Sequence, residues 1–396
     1  MSSTGLDWRA ARDEAHRQGA LLRRPQETAG LDAAIGRVLA ADLSAPGAVP
    51  GHDGAAMDGW AVAGEGPWRV GEPIVAGADP TSEALGPGRA RPVTTGAPVP
   101  PGTDAVVRSE DADVDGSGLL VRHTVSSTRR HVRPAGEEVA RGELLFPAGT
   151  RLTPPRVALA AAAGVDDVPV IPVPGVRVAV LGDEVEGAGV PRPGRVRDVF
   201  STTLPHVLRA FGAVPSGAVR VPDDLEATAR VLGGADAGLV VTTGGTAGSS
   251  ADHVRGALDR IGAEVLLDRV DVRPGRPALL ARRRDTLYLC LPGNPMAAMV
   301  ALVLLGEPLV AGMTGRPAEA PTSVTTAVDL PNDRPGSLVL AYRSAEGGVV
   351  PTGVVPVRHQ GSAMLRGLAD ADGLLVVEPG GRNAGESVPA LALPWR

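Results

Sequence analysis

Between Val176 and Gly306 the chain alternates two textures. VRVAVL (176–181) precedes FSTTLPHVLRAFG (200–212), AVRV (218–221) precedes DDLEATARVLGG (223–234), AGLVVTTGG (237–245) precedes SADHVRGALDRIG (250–262), and TLYLCLPGNP (286–295) precedes MAAMVALVLLG (296–306). The first of each pair is a short apolar run, the pattern of a strand buried on both faces. The second places apolar residues at helical spacing. Strands alternating with helices of this length predict βαβ units, right-handed crossovers and a parallel sheet.

Outward from this α/β segment the rhythm changes. From Gly51 to Gly136, WAVAG, PIVAG, RPVTTG, DAVVRSE and GLLVRHTV read as short strands broken by Gly and Pro, a β-rich domain over 46–139. Before it, LDAAIGRVLAADL (31–43) places Leu31, Ile35, Val38, Leu39 and Leu43 at helical spacings, ended by Pro46 and Pro50. The alanine-rich Pro154–Gly164 reads as a second helix packing back on the first. That predicts a discontinuous helical domain of residues 1–45 and 140–172. The α/β domain then spans 173–317, and residues 318–396 return to short strands, a small β-barrel-like terminal domain. The expected fold class is thus α/β and multidomain.

Composition removes several function classes. All 39 basic residues are arginine, so a lysine nucleophile, a Schiff base and a P-loop lysine are excluded. The net charge of −6 disfavours a nucleic-acid partner. The single cysteine, Cys290, permits no internal disulfide. The start, MSSTGLDWRAARDEAHRQGA, lacks the apolar core of a signal peptide, and the apolar run Met296–Leu305 is too short to span a bilayer. The expectation is a cytoplasmic protein with no membrane partner.

Three segments fall at strand ends, where open α/β sheets bind ligands. Asp183-Glu184 follows VRVAVL and reads either as a magnesium-holding pair or as a solvated acidic turn. Gly244-Gly245-Thr246, leading through Ser249 and Ser250 to a helix, reads either as a phosphate-binding turn or as a plain βα turn. Asp252, in that helix's first turn, either compensates the dipole or contacts a ligand. In Pro292-Gly293-Asn294-Pro295, Asn294 is a natural N-cap and Pro295 a natural first helical residue; the same geometry makes an anion site. Arg273 and Arg276 flank a Pro-Gly turn and suit an oxyanion. In the β-rich segment, His52–Trp60 joins Asp53 and Asp58 with glycines; Thr95 and Glu138 lie in two further polar turns, each readable as a plain surface turn.

Taken in order, these stretches resemble one family. LDAAIGRVLAADL, VPGHDGAAMDGWAV, TTGAPVPPGTDAVV, GEEVARGELLFPAGTRL, VRVAVLGDEV, DDLEATARVL, TTGGTAGSSADHV, VRPGRPALL, CLPGNP, HQGSAML and GESV are similar, in register over about residues 25–390, to the molybdopterin molybdenumtransferases, a family that includes the E domain of gephyrin. The resemblance implies an elongated homodimer of four-domain chains, with an α/β domain that binds adenylylated molybdopterin. It implies Mg²⁺-dependent insertion of molybdate with release of AMP, at a site between one chain's α/β domain and the partner's β-rich domain. Other proteins of molybdenum cofactor biosynthesis would be further partners. It also implies roles: Asp58, Glu138, Glu184 and Asp252 catalytic; Asp183, Glu184 and Asp224 (or its neighbour Asp223) toward the metal. Thr95, Gly244, Gly245, Thr246, Ser249, Ser250, Arg273, Arg276, Pro292, Gly293 and Asn294 would contact substrate.

The chain departs from the family pattern at several hydroxyls and amides. Gly54-Ala55 stands for Asn-Ser, Val180-Leu181 for Ser-Thr, Val199-Phe200 for Ser/Thr-Asn, and Ala247 for Ser. Most carboxylates remain. The alternative expectation is therefore a catalytically weakened paralogue acting as a pterin-binding scaffold in cofactor assembly.

Overall fold

The computed structural model describes residues 5–125, 129–245, 253–345 and 353–396. They form two compact units: Thr28–Val170, and Met1–Glu27 together with Ile171–Arg396. Residues 1–27 thus side with the α/β segment rather than with the expected 1–45 and 140–172 group.

The larger unit is built on one six-stranded sheet. Its strands are β1 (Gly175–Leu181), β2 (Val214–Val221), β3 (Leu239–Thr243), β4 (Glu264–Asp268), β5 (Leu279–Arg283) and β6 (Thr286–Leu291), in the order β2-β1-β3-β6-β5-β4. The first four in that order are parallel, while β5 and β4 are antiparallel additions, so the sheet is mixed rather than wholly parallel. The reason is the two-residue link Arg284-Asp285, in which Arg284 takes φ 51° and folds β6 back along β5.

Both sheet faces are covered. Alternation along β1 sends Val176, Val178 and Val180 to one core, and Ala179 and Leu181 to the other. The first core holds α2 (Phe200–Ala210) and α5 (Pro295–Met313); the second holds α3 (Leu225–Gly233) and α4 (His253–Arg260). Beyond the sheet, strands Ser337–Ser344, Gly373–Val377, Ser387–Ala392 and Thr322–Thr325 pair in series. Val354–Pro356 lies on the first of them, and a bridge from Thr326 to Val354 closes the ring.

The helix α5 holds the larger unit together. It has the length and apolarity of a membrane span, longer than the run read from sequence, but its apolar residues are buried in the protein. Here it is a core helix. Residues Leu302–Gly306 widen into a π-turn in which the Glu307 amide bonds Leu302 O. In that register the next donor would be Pro308, which has none. Val303 O accepts instead from Arg12 Nη1 at 3.2 Å. Arg12 sits on α1 (Trp8–Leu21), and its Nη2 also bonds Glu307 Oε2 at 3.1 Å and Glu319 O at 2.5 Å. Burial alone would lower the Arg12 pKa, and the Glu307 carboxylate opposes that shift.

The smaller unit carries a six-stranded sheet ordered Ala105–Arg108, Gly59–Ala63, Arg89–Val93, Trp68–Val70, Leu119–Arg122, Ala112–Val114. The helix expected over 31–43 stops at Ala34. Gly36 takes φ 84°, and Val38 and Leu39 then make antiparallel bridges to Arg151 and Val170. Leu39 is fully buried by those bridges, so tertiary pairing overrides the helical spacing. PIVAG likewise contributes only a bridge at Ile74, between Pro73 and the positive-φ Gly77.

Removing one partner of a buried ion pair leaves the other charge uncompensated, at a cost of about 3–5 kcal/mol. Arg12→Met and Glu307→Leu are each expected to destabilise the protein by about that amount. The double variant should lose less than the sum, since neither charge is then stranded. Urea unfolding of the four proteins checks this; strict additivity would show that the pair is not coupled.

Candidate functional site

Strand order places the ligand crevice of the larger unit. From β1 the chain moves to β2 on one side, then crosses to β3 on the other, so the strand order reverses between the parallel neighbours β1 and β3. Three loops meet at the carboxyl ends there. A Cβ on Gly244 (φ 89°) would sit 2.9 Å from Leu181 O, and one on Gly293 would sit 3.4 Å from the Gly244 Cα. The Gly244 amide bonds Leu291 O at 3.1 Å. The loops close this tightly only because glycines stand there. The hydroxyls of Thr242 and Thr243 are buried at the end of β3 without a partner among the described residues. Buried polar atoms are rarely left so.

The acidic residues divide by function. Asp183 and Asp223, at the ends of neighbouring strands, clasp each other: the Asp183 amide bonds Asp223 Oδ2 at 3.2 Å and the Asp223 amide bonds Asp183 Oδ1 at 3.3 Å. Arg195 donates to the Asp183 carbonyl and pins the turn. Glu184 folds back over Gly182, where a Cβ would meet its Oε2 at 2.6 Å. Asp224 caps α3, its Oδ1 accepting from the Ala227 amide at 2.7 Å. Among the described residues no group of three or more His, Cys, Asp or Glu side chains could hold a metal ion. Asp183 and Glu184 fit the smaller demand of an ion that arrives on substrate phosphates and needs one or two carboxylates. Thr246, Ser249, Ser250, Asp252 and Ala247 lie outside the described residues.

Beside the crevice is a cavity of about 640 Å³, within the range of small-molecule sites. Arg273, Arg276, Pro292 and Asn294 line it, joined by Arg334 and Ser362, which were not singled out as site residues. Arg276 faces Asp271 at 4.0 Å. The Arg273 and Arg334 guanidinium groups have no partner among the described residues. A signal for Arg334 was present. Arg-Pro-Gly occurs at 192–194, 273–275 and 334–336, and the last two flank a parallel ladder that pairs Val272 with Ser337. Buried Asn332 shapes the second turn, donating to Gly336 O and Val377 O, each at 2.9 Å.

Asn294 occupies the N-cap position of α5, yet its side chain makes no capping bond; Nδ2 reaches Ser362 Oγ at 3.4 Å. The Ala297 amide, one of the free helix-start donors, bonds Ser362 O at 3.1 Å. The helix start is thus partly occupied by the loop that holds Ser362.

In the smaller unit three segments lie side by side. Gly54 and Ala55 pair with Arg133 and Val132, and Gly54 bridges Pro98. Asp58 Oδ1 accepts from the Thr95 amide at 2.6 Å and from the Thr95 hydroxyl at 2.8 Å. The amide bond, then the hydroxyl bond, hold the Asp58 pKa below the usual carboxylate range. Thr95 therefore serves Asp58 rather than standing alone. Asp53 accepts from the Ala135 amide at 2.7 Å, and Glu138 pairs with Arg133 at 3.3 Å.

The chain matches three family descriptions in sequence: "MoeA N-terminal region (domain I and II)" over residues 7–164, "Probable molybdopterin binding domain" over 177–312, and "MoeA C-terminal region (domain IV)" over 327–393. A Bacillus subtilis protein named molybdopterin molybdenumtransferase is 30% identical over 95% of this chain and 91% of its own length. Molybdopterin molybdenumtransferase 2 of Mycobacterium tuberculosis is 32% identical over 88% of this chain and 90% of its own. A solved Pyrococcus molybdopterin biosynthesis MoeA protein superposes with TM-score 0.78 at 24% identity, covering 98% of this chain and 99% of that one, and so shares its fold.

Two unpaired arginines in one cavity predict capture of a tetrahedral dianion. Each bond to a charged group contributes about 1.5–3 kcal/mol. Arg334→Gln and Arg273→Gln should each weaken sulfate or molybdate binding about 10-fold or more, with steep salt dependence. Calorimetric titration checks this; unchanged affinity in both variants would remove the cavity as the anion site.

Proposed function

The chain belongs to the molybdopterin molybdenumtransferase family, and from that membership we propose that it inserts molybdate into adenylylated molybdopterin with release of AMP. The observation that carries this reading is the pairing of a glycine-closed crevice at the reversal of strand order with a cavity that presents Arg273 and Arg334. The first suits a phosphorylated pterin, because amides at glycine turns approach phosphate closely. The second suits the oxyanion that must be brought to it. Both lie in the larger unit and share the Pro292–Asn294 turn.

In this reading Gly244, Gly245 and Gly293 give the pyrophosphate access to backbone amides. Arg273, Arg276 and Arg334 hold molybdate by charge and by directed N–H donors. Asp183 and Glu184 would hold Mg²⁺, which when bound neutralises phosphate charge. Asp58 and Glu138 supply carboxylates from the smaller unit. We further propose a cytoplasmic homodimer in which those carboxylates act on the partner's pterin, with other cofactor-assembly proteins supplying substrate and receiving product.

In vitro assembly from adenylylated molybdopterin, molybdate and Mg²⁺, followed by AMP release, is the test. Asp58→Asn should fold normally and lose at least ~100-fold in insertion, the scale of a positioned acid–base group. Pterin binding without AMP release by the wild type would instead favour the scaffold reading. Gly54→Asn, whose new Cβ would find nothing nearer than 3.7 Å, should then restore part of the lost contact. Light scattering should give a dimer; a monomer at micromolar concentration would remove the shared-site arrangement.

A further inference from the structure

The turn Thr94–Ala97 is closed by the Ala97 amide on Thr94 O at 2.9 Å, with Gly96 at φ 82°. That is the geometry of a type II turn with Gly at its third position. Such a turn leaves the amide of its second residue, Thr95, unused. It is held in place from outside: the Gly96 amide bonds Ala55 O at 2.8 Å and the Ala55 amide bonds Ala97 O at 2.9 Å. Three residues on from Ala55 is Asp58, whose own carbonyl accepts from the Ser109 amide at 3.1 Å. Main chain and carboxylate of Asp58 are therefore both fixed, by two different segments.

Both Thr95 donors fall on one oxygen, Oδ1. No described residue bonds Oδ2, and the side chain is exposed. The charged residues on the segments around it are engaged elsewhere. Arg133 pairs with Glu137 and Glu138, Arg108 with Glu110 and Asp111, and Asp53 accepts from Ala135; His52 makes no bond to Asp58.

We propose that Thr95 is a positioning residue that locks Oδ1 of Asp58 and presents Oδ2 as the one working oxygen. Asp58 then acts through Oδ2 as an acceptor of a proton or a hydrogen bond. The proposal rests on the reading of Asp58 as part of the molybdenum-insertion site. It reassigns Thr95 from substrate contact to support of that carboxylate.

Three substitutions separate the donors. Thr95→Ser keeps the amide and the hydroxyl. Thr95→Val keeps the amide alone. Thr95→Pro removes both, at a turn position that proline favours, so the turn survives. Carbonyl-¹³C-labelled aspartate, with the Asp58 signal assigned by its loss in Asp58→Asn, reports the Asp58 titration midpoint without any substrate. The midpoint should match wild type in the Ser variant and rise in the order Val, then Pro. The sign follows from the bonding: both donors favour the charged form, so each loss moves protonation to higher pH. In the insertion assay the acid limb of kcat should move to higher pH in the same order. At neutral pH the Pro variant should lose about 10- to 100-fold in kcat with KM little changed, as for a misplaced group, and the Ser variant should recover most of it. A midpoint that stays at the wild-type value in the Pro variant would overturn the proposal, as would undiminished kcat there. Absence of insertion by the wild type would overturn the functional reading, while the midpoint series would still decide the role of Thr95.

Discussion

Two helix backbones touch in the larger unit, and much of that unit depends on the contact. A Cβ on Gly19 of α1 would lie 2.1 Å from Leu309 O, and one on Gly312 of α5 would lie 2.2 Å from His16 O. Neither position can hold a side chain without separating the helices. At that closeness Arg12 reaches the π-turn and satisfies the carbonyl that Pro308 leaves free. The ion pair with Glu307 is therefore more than a surface bridge. It orients Arg12, whose Nη1 donates to Val303 O and repairs a defect that proline imposes on a fully buried helix, where an unmet carbonyl would cost about 1–3 kcal/mol. The same helix begins at Asn294, in the wall of the arginine-lined cavity. The α1 contact thus holds the far end of an element whose near end shapes the site.

The α/β core was legible because its signals are local. VRVAVL, LVVTT and LYLCL are continuous apolar strands, and the intervening helices carry spacing, caps and terminal glycines. Strands β4 and β5 were not, because their direction depends on a two-residue reversal at Arg284 that only the finished sheet explains. The helix read over 31–43 failed for a similar reason. Its spacing was real, but Gly36 and the pairing of Val38 and Leu39 with distant strands prevail over local preference. The first twenty-seven residues were grouped with their neighbours in sequence, whereas the two glycines that send α1 to α5 announce themselves only through a partner nearly three hundred residues away.

The site was legible in part for the same physical reason. Glycines, Asn294 and the first Arg-Pro-Gly turn announce strand-end loops. Arg334 stands in a turn whose meaning comes from the ladder that sets it beside Arg273. Asp224 reads as a metal acid and also caps α3, a role the sequence allows equally. Thr95 was visible as a polar turn residue, but not its hold on Asp58, because the two are brought together by a turn packed against Ala55.

The arginine cavity has a consequence for selectivity. Its walls are set by main-chain pairing of 272–273 with 337–338 and by the buried amide of Asn332, not by flexible side chains. Such a frame fixes the main chain from which Arg273 and Arg334 project, and a point substitution cannot readily shift it. Tetrahedral dianions of equal size and charge would meet the same pair of arginines, so the wall itself offers no means of choosing between them.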